Sequence, residues 1–373
     1  MTKLLLLLGA FLPALVATAS ISGVGVIGTV RVGYYPTAVV VNSVTNKIYV
    51  ADDGRDSNNV TVIDGKTGRT ARVKDPNARG PYALALNPRT DKIYVVNNRS
   101  DNVSVIDGAT NAVYTVTDRN ASAPIAIAVN PRTNKTYVAN SASWNVSVID
   151  GATNEVTTVR DPNAIAPTAV AVNPVTNKIY VTNAYTHNVT VIDGATNKTT
   201  TIGPFLNYSN PIAVAVNPVT DKIYVLDVGT NQVEVIDGAT NAFTTIGDGA
   251  GRSPKALAID SATNKIYVAN YGGNGSVTVI DGASNNATTL TDQRASGPYD
   301  VAVDSATNQI YVPNANYILN NLSVIDGRTN ALTIIHLPHA QWPYAVAVNP
   351  ATDRIYVANY LSRNVSVIAG ATR

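Results

Sequence analysis

A Tyr-Val step recurs eight times along the chain, at Tyr49, Tyr94, Tyr137, Tyr180, Tyr224, Tyr267, Tyr311 and Tyr356, always 43 to 45 residues apart. A repeat of this length is one supersecondary unit that cannot bury its own apolar surface, so its copies must stack on one another. Each copy follows a proline and a small apolar run, at Pro36, Pro81, Pro124, Pro167, Pro211, Pro254, Pro298 and Pro343. Seven copies continue to Ile-Asp-Gly, at Asp64, Asp107, Asp150, Asp193, Asp237, Asp281 and Asp326, and the eighth reads Ile368-Ala369-Gly370.

Within the unit Pro167 to Thr201, four short strands are separated by turn residues. Ala169 to Val172 alternates small and branched side chains, as a crowded strand near an axis requires. Asn173-Pro174 opens a turn, and Lys178 to Val181 then places Ile179 and Val181 on one face and Tyr180 on the other. Val189 to Ile192 alternates again and stops at Asp193-Gly194, a hairpin signal, before a threonine-rich fourth strand suited to a half-wet edge. This pattern predicts an all-β fold, a β-propeller of eight four-stranded blades. The last repeat lacks its own fourth strand, and Gly25 to Val32, lying before the first proline, is expected to pair with Asn364 to Ile368 and close the ring. Seven blades plus a displaced unit is the alternative.

Ile179-Tyr180-Val181-Thr182-Asn183 resembles the YVTN-type β-propeller repeats of archaeal surface-layer proteins and bacterial YncE-like secreted proteins. The other copies depart at the third or fourth position, as in Tyr94-Val-Val-Asn and Tyr311-Val-Pro-Asn, and the similarity extends over essentially residues 20–373. The resemblance implies a propeller and a place at the cell surface or outside the cell. It implies no catalytic residue, because the motif residues are structural.

Met1-Thr2-Lys3, an apolar run from Leu4 to about Val16, and Ala17-Thr18-Ala19 have the form of a secretory leader over residues 1–19, with an uncleaved anchor as the alternative. No other apolar run reaches spanning length, so no membrane span is expected once the leader is gone. There is no cysteine, hence no disulfide framework and no thiolate chemistry. The formal charge of +2 provides no field for gathering polyanions, which disfavours nucleic acid as a partner.

The strand order sends the turns between first and second and between third and fourth strands to one face of the ring. The loops between second and third strands and between blades go to the other. On the turn face, a cation opens the second strand at Lys47, Lys92, Lys135, Lys178, Lys222, Lys265 and Arg354. A polyanion site is one reading of this ring. Cross-strand neutralisation, as of Lys178 by Asp193, is the other and the favoured one. The loop face varies in length and collects aromatic residues, of which Tyr35, Tyr82, Trp144, Tyr185, Tyr271, Tyr299, Tyr317, Trp342, Tyr344 and Tyr360 are the candidate binding residues. Tyr82, Tyr299 and Tyr344 follow the inter-blade prolines and could equally plug the funnel.

His336-Leu-Pro-His339 lacks a third ligand, and Asp52-Asp53-Gly54-Arg55-Asp56 is only a fragment of a calcium loop, so no metal and no cofactor is expected. Catalytic residues cannot be nominated. The reading that results is a secreted or cell-surface module, monomeric, that binds a protein, peptide or glycan through its aromatic loop face. A propeller enzyme of lactonase-like or lyase-like type, with a metal in the channel, and a structural surface-layer component are the alternatives.

Overall fold

The computed structural model describes residues 23–54, 58–247, 251–272 and 275–370; the expected leader lies outside them. Eight four-stranded antiparallel sheets stand in a ring. Blades 1 to 7 are each built from four consecutive strands, and the first strands of adjoining blades meet around the axis. Blade 8 takes Pro343–Asn349, Arg354–Asn359 and Asn364–Ala369 from the end of the chain and Gly25–Arg31 from the start. In that closing pair Thr29 stands opposite Ser366 and Arg31 opposite Asn364, so eight blades is correct and the amino-terminal strand completes the last one.

There is no single central core. Each sheet is buried on both faces, and each seam between blades holds its own apolar cluster. Tyr137, Val146 and Val148 of blade 3 pack against Ile179, Val181 and Ile192 of blade 4. Tyr180, Val189 and Val191 on the opposite face of blade 4 pack against Ile223, Val225 and Ile236 of blade 5. The period of two along the second strand therefore assigns alternate side chains to alternate neighbours, and all eight repeat tyrosines are fully buried. The closing seam is made the same way, with Tyr356 and Val365 of blade 8 against Ile48, Val50 and Ile63 of blade 1.

One feature of the turn face differs from the expectation. Lys178 does stand opposite Asp193 in the register, but its ammonium does not pair with that carboxylate. Its Nζ donates instead to the carbonyl of Gly238 in the Ile-Asp-Gly turn of blade 5. The same reach into the next blade is made by Lys92 to Gly151, Lys135 to Gly194 and Lys222 to Gly282 (2.7 Å for the last), and by Arg354 to Gly65 across the closing seam. The long side chain outruns the short cross-strand distance, while the neighbouring carbonyl lies at its tip. Asp193 is occupied with its own turn, accepting from the N–H groups of Ala195 and Thr196 and from the Thr196 hydroxyl, and these bonds hold its carboxyl below the usual range.

The hairpin expected at Asp193-Gly194 forms, third strand against fourth, through a turn longer than those two residues. The third strand ends at Asp193, the fourth begins at Thr199, and the left-handed residue between them is Asn197, at φ 59°. Gly194 is needed for space: a Cβ there would come within 2.4 Å of Asn177 Oδ1. Asn177 in turn accepts from Asn130 Nδ2 of blade 3 at 2.8 Å, the same lateral link that joins Asn173 to Asp221 and, across the closing seam, Asn349 to Asn46.

Removing residues 23–31 exposes the third strand of blade 8 and opens the closing seam, so the truncated chain is expected to melt far lower and to aggregate, as followed by circular dichroism and light scattering. Lys178→Met deletes one charge-assisted bond from a partly buried carbonyl and is expected to cost about 1–3 kcal/mol, read from urea midpoints. A double-mutant cycle of Lys178 with Asp193 should show little coupling.

Candidate functional site

Eightfold repetition is broken on the loop face, and the breaks are concentrated in five adjoining blades, 6, 7, 8, 1 and 2. Directly after the blade prolines, blades 2, 7 and 8 place Tyr82, Tyr299 and Tyr344, where the others place Thr37, Ile125, Thr168, Ile212 and Lys255. Around them six rings touch in sequence. Tyr271 meets Tyr299 edge-on at 5.7 Å, Tyr299 meets Tyr344 at 4.2 Å, Tyr344 stacks with Tyr360 at 5.4 Å, Tyr360 meets Tyr35 at 5.0 Å, and Tyr35 meets Tyr34 at 6.5 Å. Such offset and edge-on contacts favour a fixed arrangement of the rings. The arc runs from blade 6 through blades 7 and 8 to the entry of blade 1. Lys255 Nζ lies 4.9 Å above the Tyr299 ring, and the Arg363 guanidinium lies 3.6 Å above Tyr34.

The arc borders an open cavity of about 260 Å³ at the mouth of the central channel, lined by Thr37, Ala38, Val39, Tyr82, Ala83, Tyr299, Asp300, Tyr344 and Ala345. The three tyrosines therefore flank a space and do not seal it. Tyr299 donates its hydroxyl proton to the Tyr344 oxygen at 3.0 Å, and burial together with that neighbour raises the Tyr344 hydroxyl far above its ordinary value. Burial and the nearby Tyr299 and Asp53 likewise raise Tyr82.

Asp300 is the chemical outlier of the channel. The other seven blades have alanine in its place, at Ala38, Ala83, Ala126, Ala169, Ala213, Ala256 and Ala345. Its Oδ1 accepts from Val301 N at 2.8 Å and its Oδ2 from Val346 N of blade 8 at 2.9 Å. Burial pushes its carboxyl up to about 6, and the two N–H groups work in the opposite direction. Strand pairing is interrupted around it: the first strand of blade 7 is regular only over Ala302–Asp304, with an isolated bridge from Pro298 to Asn314.

Of the ten aromatic candidates, the structure brings together Tyr35, Tyr82, Tyr271, Tyr299, Tyr344 and Tyr360. Tyr317 and Trp342 form a separate pair, 4.2 Å apart, from the loop between the second and third strands of blade 7 and the entry of blade 8. Trp144 and Tyr185 stand on blades 3 and 4, Tyr185 being 77% exposed, and no other ring contacts them among the described residues. Asp300, Lys255, Tyr34 and Arg363 were not singled out by residue type. Asp300 was nevertheless visible as the one departure from the Pro-x-Ala pattern.

The acidic stretch after Tyr49 is not a calcium loop in its described part. Asp52 ends the second strand of blade 1, fully buried, where its oxygens accept from Gly33 N at 3.0 Å and Thr61 Oγ1 at 2.7 Å. Asp53 pairs with Arg99 of blade 2 at 3.0 Å, while Arg55 and Asp56 lie outside the described residues. His336 ends a fourth strand and His339 lends its carbonyl to Asn364. Among the described residues no three His, Asp or Glu side chains are grouped so as to hold a metal.

No family model matches the chain, and no curated protein matches it. Among solved structures, the hydrazine synthase of Kuenenia stuttgartiensis is similar over 79% of this chain and 96% of that one, with a TM-score of 0.61 and 20% identity. At that identity the likeness shows the fold alone, which is a propeller.

Burial pushes the Asp52 carboxyl up to about 7. Its folded value exceeds the unfolded one, so its protonated form favours folding, and that stability is lost as pH rises from about 4 through 7. Asp52→Asn, which restores the residue found at Asn97, Asn140 and Asn183, is therefore expected to raise the melting temperature at pH 8 and to change it little at pH 4.

Proposed function

We propose that this protein is a secreted or cell-surface binding module whose partner, a protein, peptide or glycan, seats on the aromatic half of the loop face. One observation carries the reading. In a ring whose sheets are otherwise near-copies, six contacting tyrosines and the channel mouth they border fall in adjoining blades, leaving the opposite half without them. A plug required by the fold alone would recur in every blade. Rigid amphipathic rings around a concavity are well suited to recognition, because they lose little conformational entropy on binding. Support for the extracellular setting comes from the leader-like residues 1–19 and the resemblance to YVTN-type repeats. Among the described residues no helix is long and apolar enough to cross a membrane.

Labelled protein lacking residues 1–19 would be tested on glycan and peptide arrays. The ligand selected there is expected to bind Tyr35→Ala/Tyr360→Ala at least tenfold more weakly. The melting temperature should fall by no more than about 4 °C, roughly the effect of 1 kcal/mol in a large domain. Tyr114→Ala, on the outer edge of blade 2, should bind like the parent. Equal weakening by Tyr114→Ala, or dependence on Trp144 and Tyr185 alone, would remove the arc from the reading.

A further inference from the structure

We infer that the channel mouth is a subsite for an alkylammonium group, with Asp300 as its counter-ion and Tyr82, Tyr299 and Tyr344 as its walls. This rests on the proposed function and specifies the chemistry that the aromatic half recognises.

Three independent observations converge on it. First, Asp300 replaces an alanine that every other blade keeps, so the fold does not require a carboxylate there. A carboxylate on a channel-lining strand is costly to desolvate, and this one is held with only two backbone N–H groups and no cation within ion-pair distance among the described residues. An incoming ammonium would supply the missing charge and fill the remaining acceptor positions of both oxygens. Second, a cavity of about 260 Å³ opens directly onto that carboxylate, enough for a small alkylammonium head and the start of its chain. Third, a ring that walls the cavity already holds a cation: Lys255 lies over Tyr299. A tyrosine face attracts an ammonium through its quadrupole, more strongly where water is thinned out, so aromatic walls and a carboxylate floor select the same charge. Burial, which pushes the Asp300 carboxyl up to about 6, leaves it largely ionised at neutral pH, where an aliphatic amine is protonated.

The group could come from a free amine or from a lysine of a partner chain. Calorimetric titration at pH 7.5 of the protein lacking residues 1–19 distinguishes them, using n-butylamine, 1-butanol and a blocked Gly-Gly-Lys-Gly-Gly peptide. Butylammonium is expected to bind saturably, and 1-butanol, of similar shape and uncharged, is not. Tighter binding of the lysine peptide would identify a partner chain as the source, and binding of butylammonium alone would identify a free amine. Asp300→Ala, which installs the residue of the other seven blades, and Asp300→Asn should each weaken butylammonium at least tenfold, with melting temperatures showing that both variants remain folded. No saturable binding of either ammonium probe, equal binding of 1-butanol, or unchanged affinity in both variants would overturn the proposal. Its failure is distinct from failure of the broader reading. In the first case the Tyr35 and Tyr360 variants still lose the array ligand; in the second the Asp300-dependent ammonium binding persists although those variants lose nothing.

Discussion

The structure depends on the burial of both faces of every sheet. A blade whose second strand reads Ile-Tyr-Val presents an aliphatic face to one neighbour and a tyrosine face to the other, so no blade is satisfied alone and no open stack is satisfied at its ends. Ring closure removes the ends. It places a particular demand on the last sheet, which must borrow Gly25–Arg31 to cover Asn364–Ala369 while blade 8 packs on blade 1. The closing seam is thereby joined by a strand pairing, an apolar cluster and polar links at once, although its parts lie at opposite ends of the chain.

Polar chemistry on the turn face serves the same end. The lysines that look like a polyanion ring are consumed by glycine carbonyls of the next blade, and the asparagines that end the first strands reach the left-handed turn residue of that blade. Both links run sideways, from one sheet to the next, and set the spacing of blades where the apolar clusters set their contact. The first strands of blades 6 and 7 end instead in Asp260 and Asp304, and the lysine link has its exception at the seam from blade 7 to blade 8. Gln309 stands in place of the cation, and its side-chain oxygen accepts the Tyr311 hydroxyl at 2.7 Å, which satisfies both groups without reaching across.

With so much of each repeat committed to its neighbours, function has to reside in the departures from it. The departures on the loop face cluster in blades 6, 7, 8, 1 and 2, where an arc of rings runs past the mouth of the axis and one channel carboxylate lines it. The rigid ring supplies positions at fixed radius, and single substitutions such as alanine to Asp300 then acquire a defined place relative to the tyrosines across the channel.

The blade count, the strand order, the two unequal faces and the closing strand were all legible in the residues, because a period near 44 with alternation inside it admits few solutions. The need for glycine after Asp193 was legible too, though its reason was not: the demand is space beside Asn177, which only the folded turn reveals. The partner of each lysine was hidden because a cross-strand neighbour is close in register while the acceptor it finds belongs to a different sheet. The candidate site was half legible. Aromatic enrichment of the loop face could be read by counting, but which rings meet depends on where blades 6 to 8 and the entry of blade 1 converge, and that is a matter of angle around the axis. Local alternation and turn chemistry thus determine the blade from the sequence itself; the joining of distant blades, and the grouping of their exceptions around one channel mouth, are decided only when the ring shuts.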